Sequence, residues 1–151
     1  MAVSLSENDP DPEVGPVIQG VILLCDTAQS VGGKLYILGG AWNVVQRPAD
    51  VTSLNVTVAI KLSVPWDLAN HRLGVMVRLL TSDGELVELS EGPVEAGGEL
   101  EVARGLGLRQ GTPLVSTFVL PFGLSGVEAG SYVFELRVRD QIIATEPFQV
   151  Q

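Results

Sequence analysis

The stretch Leu54-Asn55-Val56-Thr57-Val58-Ala59-Ile60-Lys61-Leu62-Ser63-Val64 decides the fold class. Its even positions are all aliphatic, while the odd positions are mostly polar or small, so the period is two rather than 3.6. In a strand that period places Leu54, Val56, Val58, Ile60, Leu62 and Val64 on one face. The segment is therefore a half-buried β-strand. Downstream, Leu73, Val75, Val77 and Leu79 alternate with Arg72, Gly74, Met76 and Arg78. Tyr132, Phe134, Leu136 and Val138 alternate with Val133, Glu135, Arg137 and Arg139 in the same way.

Turn chemistry separates these runs. Gly32-Gly33 precedes Lys34, Asp83-Gly84 divides two apolar runs, and Gly97-Gly98, Gly111, Gly126 and Gly130 fall where strands would end. Asp83-Gly84 is the strongest hairpin signal. The reading is about nine strands, near 17 to 25, 34 to 46, 53 to 64, 72 to 81, 85 to 90, 98 to 104, 113 to 121, 131 to 139 and 142 to 150. Only Pro65-Trp66-Asp67-Leu68-Ala69-Asn70 suits a helical turn, as a connection. With no helix to cover them, the apolar faces must bury one another. The expected fold is an all-β, two-sheet antiparallel sandwich of immunoglobulin-like or Greek-key type, a barrel being the alternative. Gly130-Ser131-Tyr132 opens a strand in the manner of a tyrosine corner.

Composition bounds the rest. A chain of 151 residues that is 46% hydrophobic and 18% charged has enough apolar material for one packed domain without a disulfide or metal. Residues 1 to 16 read as a disordered acidic tail, and residues 17 to 151 as a single sandwich domain. The net charge of −9 argues against nucleic-acid and anionic-membrane partners. No apolar run free of proline and glycine is long enough to span a bilayer as a helix. The tail lacks the cationic start and continuous apolar stretch of a signal peptide. Together with the lone Cys25 this gives a cytoplasmic expectation.

Little catalytic equipment is legible. His71, with Asp67 and Asn70 nearby, has the makings of an oriented base but no evident nucleophile. It reads as a strand-start residue that hydrogen-bonds its loop. One histidine and one cysteine do not make a zinc site, and the tail acids Asp9, Asp11 and Glu13 miss the spacing of a calcium loop. The glycines miss phosphate-loop and dinucleotide spacings. No catalytic residue, metal or cofactor is therefore assigned.

Two binding constellations remain. Trp42 and Trp66, with Asp67, Asn70 and His71, form a flat platform for a sugar or peptide if exposed; their surroundings favour burial as plugs at the sandwich ends. Gly39-Gly40 before Trp42 suggests a bulge. Glu85, Glu88, Glu91, Glu95, Glu99 and Glu101 contribute six of the nine net negative charges. They form either an acidic rim that steers a basic partner or solvated strands whose like charges discourage edge pairing.

Taken together, Leu23-Leu24-Cys25-Asp26, Gly33-Lys34-Leu35-Tyr36-Ile37-Leu38-Gly39-Gly40-Ala41-Trp42, Val64-Pro65-Trp66, Asn70-His71 and Asp83-Gly84 resemble a family of small uncharacterised bacterial proteins, largely actinobacterial. The resemblance implies a bacterial, intracellular, sandwich-like protein and no chemistry. The expectation is a non-enzymatic interaction module that binds another protein or self-associates, as a homo-oligomer, through sheet edges and loops. The alternative is a small-ligand or carbohydrate-binding sandwich using Trp42 and Trp66.

Overall fold

A computed structural model describes residues 17–49 and 53–151. The acidic tail over 1 to 16, with Asp9, Asp11 and Glu13, lies outside the described residues.

The described residues form eleven strands: β1 (Gln19–Val31), β2 (Lys34–Gly40), β3 (Val44–Val45), β4 (Ser53–Val64), β5 (Leu73–Thr81), β6 (Glu88–Leu89), β7 (Gly92–Pro93), β8 (Glu95–Leu100), β9 (Leu114–Ser125), β10 (Gly130–Val138) and β11 (Gln141–Val150). A 3-10 turn spans Trp66–Leu68 after Pro65, where a helical turn was expected. No helix among the described residues is long and apolar enough to cross a membrane. One sheet has the order β2-β1-β4-β9, the other β3-β11-β10-β5-β8, and β6-β7 is a small hairpin. Neither large sheet closes on itself, so the fold is a sandwich rather than a barrel. The orders β1-β4-β9 and β5-β10-β11 are those of strands A-B-E and C-F-G in immunoglobulin-like sandwiches. β8 is added beside β5, and no described strand lies beside β9, where strand D would stand.

The inward face of β4 is buried as the alternation requires: Leu54, Val56, Val58, Ile60, Leu62 and Val64 are core residues. They meet Leu73, Val77, Leu79, Phe134, Leu136 and Phe148 from the facing sheet. Phe134 stacks on Phe148 with centroids 5.4 Å apart and lies 5.2 Å from Phe122. These rings occupy the inter-sheet centre where antibody domains carry a disulfide. The tyrosine corner is present, with the Tyr132 hydroxyl donating to the Glu128 carbonyl at 2.7 Å.

Several expectations need correction. The strand expected over 34 to 46 is broken, because Gly39 (φ 61) and Ala41 (φ 67) adopt left-handed conformations. The chain beyond them forms β3, which pairs in parallel with β11, so the sheets are not wholly antiparallel. Gly97-Gly98, read as a turn, lies inside β8. The strand expected over 85 to 90 shrinks to the β6-β7 hairpin. Asp83-Gly84 does turn the chain: Gly84 (φ 87) lies in a tight loop closed by the Thr81 amide donating to the Glu85 carbonyl at 2.8 Å.

The second half of β1 behaves unlike an ordinary edge. β1 pairs with β4 only from Gln19 to Cys25, and with β2 from Cys25 to Val31. Ser30 nevertheless lies 2.7 Å, oxygen to oxygen, from Thr117 on β9, two strands away. The β1-β2 hairpin therefore folds back over the outer face of its own sheet. Cys25 (0% exposed), Ala59 (1%) and Thr57 (8%), all on that outer face, lie beneath it.

Candidate functional site

The two tryptophans do not share a surface. Trp42 precedes β3, whose partner is the end of β11, while Trp66 follows the end of β4. Antiparallel registers put these points at opposite ends of the sandwich, since Tyr132 beside Phe148 pairs with Thr81 and Val138 pairs with Val75 near the start of β5. Trp42 is half-buried edge-on to Phe148 at 6.2 Å, and its indole N–H has no partner among the described residues. The Arg104 guanidinium lies over the Trp66 ring at 4.5 Å and donates to the Trp66 carbonyl at 2.9 Å. A sugar would compete with that guanidinium for the same aromatic face.

Asp67, Asn70 and His71 stay together in the loop beside Trp66, all exposed. Asn70 adopts φ 62, a conformation asparagine tolerates, and its amide donates to the Val102 carbonyl at 2.9 Å. His71 Nδ1 lies 3.0 Å from the Ala69 carbonyl. Its ring thus braces its own loop, with no carboxylate hydrogen-bonded to it among the described residues.

The acidic stretch divides in two. Arg72, just before β5, and Arg78 on it face the same side as Glu95, Glu99 and Glu101 on or just after β8, because Arg78 opposes Glu95 and Gly74 opposes Glu99. Arg72 reaches Glu99 at 3.9 Å and Glu101 at 3.3 Å, and Arg78 reaches Glu95 at 3.8 Å. Exposed pairs of this kind add little stability, and the two arginines offset only part of the charge of these three glutamates. Glu85, Glu88 and Glu91, around the β6-β7 hairpin, have no ion-pair partner among the described residues.

Between the edge strands β8 and β9 the sandwich opens into a cleft of about 220 Å³ lined by Val75, Leu100, Phe118 and Leu120, with Glu99 at its margin. Its cause is local. Gly98 opposes the inward-facing Val75, so it too faces inward, and a Cβ there would meet nothing within 4 Å. A second depression, lined by Glu91, Glu95, Pro121 and Phe122 among others, borders the same pair of strands. β9 itself is twelve residues long and uncharged. Pro121 interrupts pairing toward its end, and the run from Leu114 to Leu120, free of charge and proline, is a template for another strand.

Sequence reading gave a strand over 113 to 121 but not its edge position, and it passed over the cleft. Alternation around Phe118 and Leu120 identifies a strand, whereas the missing neighbour and the vacancy at Gly98 are properties of pairing.

Residues 20–151 match the model of a family of unknown function, DUF6941. No curated protein matches the chain.

Proposed function

We propose for this chain, which belongs to the DUF6941 family, a non-enzymatic role as an interaction module whose β8/β9 side receives an extended segment of another protein. The observation that carries this reading is the uncharged β9 edge, paired with no described strand and touched at the Thr117 carbonyl by the Ser30 hydroxyl, beside the apolar cleft left by Gly98. A strand added to β9 beyond Thr117, whose carbonyl already accepts from the Ser30 hydroxyl, pairs with its free backbone groups and sends alternate side chains over Phe118 and Leu120, the logic of β-augmentation. Glu91 at one margin, with Glu95 and Glu99 only partly offset by Arg78 and Arg72, leaves the margins net negative and favours basic residues at the intervening positions. The module works in the cytoplasm, where a single buried thiol needs no partner. A sugar platform has weaker support, because Trp42 and Trp66 are apart and each already packs against a neighbour.

Panning a random peptide library against the protein tests this. Selected peptides are expected to alternate aliphatic with basic residues and to lose binding to Gly98→Leu, which fills the cleft from an open position. Peptides that bind Gly98→Leu as tightly as the parent overturn the reading.

A further inference from the structure

The β1-β2 hairpin presents a second surface, separate from the cleft. Its outward face carries Val31 (56% exposed), Tyr36 (56%) and Leu38 (70%), an apolar strip on a two-stranded ribbon. The free edge of β2 contains no proline and has its only charge, Lys34, at its first residue. Edge strands are ordinarily protected by charges, prolines or cover. Among the described residues this edge lacks all three along Leu35-Tyr36-Ile37-Leu38.

We propose that β2 pairs antiparallel with β2 of a second copy of this chain about a twofold axis at Tyr36. The backbone selects the register. Gly32 (φ 59) and Gly33 (φ 75) form a two-residue turn of the twisted hairpin type, which makes Val31 and Lys34 a hydrogen-bonded pair. By the alternation of antiparallel ladders, Tyr36 and Leu38 then direct their backbone groups to β1, and Leu35 and Ile37 direct theirs to the open edge. About a twofold at Tyr36, Leu35 and Ile37 exchange hydrogen bonds with Ile37 and Leu35 of the copy. The two Tyr36 rings meet on the apolar face, and Leu38 meets the aliphatic stem of Lys34 of the copy.

Charge selects the same partner. The molecule carries −9, so two copies repel over most of their surface. Residues 26 to 40 hold one acid, Asp26, and one base, Lys34. The Asp26 carboxylate occupies the space beside Gly39, where a Cβ would lie 2.2 Å from its Oδ2. The twofold brings each Lys34 alongside Leu38 and Gly39 of the other copy, next to that carboxylate, and keeps the two lysines apart. The hairpin is thus a neutral, self-complementary surface on an acidic protein.

Light scattering after size exclusion of the full chain at micromolar concentration is expected to show a dimer. Leu38→Lys, at an exposed position and facing Lys34 of the copy, is expected to weaken it at least tenfold without lowering the melting temperature of the monomer. Directly opposed residues in the proposed non-hydrogen-bonded pair sit about 4.5 Å apart at Cα, within disulfide reach. Tyr36→Cys is therefore expected to cross-link two copies on oxidation, and Leu38→Cys is not. A monomer at all concentrations, a dimer indifferent to Leu38→Lys, or cross-linking through Cys at 38 rather than 36 overturns the proposal. Gly98→Leu is expected to leave the dimer intact, so failure at the cleft and failure at β2 are read separately.

Discussion

The Cys25 sulfur lies 3.3 Å from the Thr57 carbonyl, directly across the β1-β4 ladder and beneath the folded-back hairpin. Burial raises the thiol pKa above its ordinary 9.0, with the Asp26 carboxylate adding to the effect. A thiol held protonated and covered is a poor nucleophile. Native protein at pH 8 is expected to resist iodoacetamide, and to be alkylated once per chain in urea. Alkylation at the unfolded rate without denaturant would show that the hairpin does not seal Cys25.

Gly40 sets that seal. A Cβ at Gly40 would come within 2.6 Å of Ile37 Cγ2 and 3.4 Å of Cys25 Cβ. Gly40→Ala is expected to push Ile37 away and accelerate alkylation of Cys25 in otherwise folded protein. Gly32→Ala, where a Cβ meets nothing but φ is 59, is expected to strain the turn by about 1–2 kcal/mol with less effect on the thiol. Equal alkylation rates in parent and Gly40→Ala would refute the packing argument.

Tyr132 links the β9-β10 connection to the sheet through its hydroxyl on Glu128. Tyr132→Phe is expected to cost about 1 kcal/mol, read as a lower urea midpoint. Burial is the first cause that raises the phenol above its ordinary 10.0, followed by the Glu128 charge. Raised folded-state values mean that the native state holds its proton longer than the unfolded chain. The associated stability is complete below pH 10.0 and is lost as pH rises through the folded value, with Cys25 acting in the same direction from 9.0. Urea midpoints are expected to fall above those values, less steeply in Tyr132→Phe. An identical slope in the variant would assign the loss to other groups.

Phe134, fully buried between Phe122 and Phe148, occupies the centre of the core. Phe134→Ala is expected to cost about 3–5 kcal/mol, whereas Leu38→Ala on the exposed hairpin face stays within about 0.5 kcal/mol. Denaturation midpoints at matched slope compare them. A large loss in Leu38→Ala would place that side chain in the core.

Arg104 covers Trp66. Arg104→Ala is expected to increase iodide quenching of tryptophan fluorescence and to shift the emission to the red, with little change in melting temperature. Unchanged quenching would mean that the guanidinium does not shield the ring.

The alternation of Leu54 to Val64, the turns at Gly32-Gly33 and Asp83-Gly84, the 3-10 turn after Pro65 and the tyrosine corner at Tyr132 were legible in the chain. Each depends on residues within a few positions of one another, where side-chain period and backbone preference act. The candidate site was less so. Trp42 and Trp66 share a residue type and unusual neighbours, but their separation follows from which strand ends meet. The acidic run gave correct charges, yet its pairing with Arg72 and Arg78 depends on the β5-β8 register.

By itself, then, the sequence determined an all-β fold, sandwich or barrel, with an aliphatic core and a tied final corner, because period-two burial and turn chemistry are local. Tertiary structure alone decided that β1 and β2 fold across their own sheet, that β3 joins β11 in parallel, and that β9 and β2 remain edges. A strand's pattern says which face it buries. Whether its edge is paired, covered or open is decided by strands distant in the chain, and here the proposed function resides in those edges.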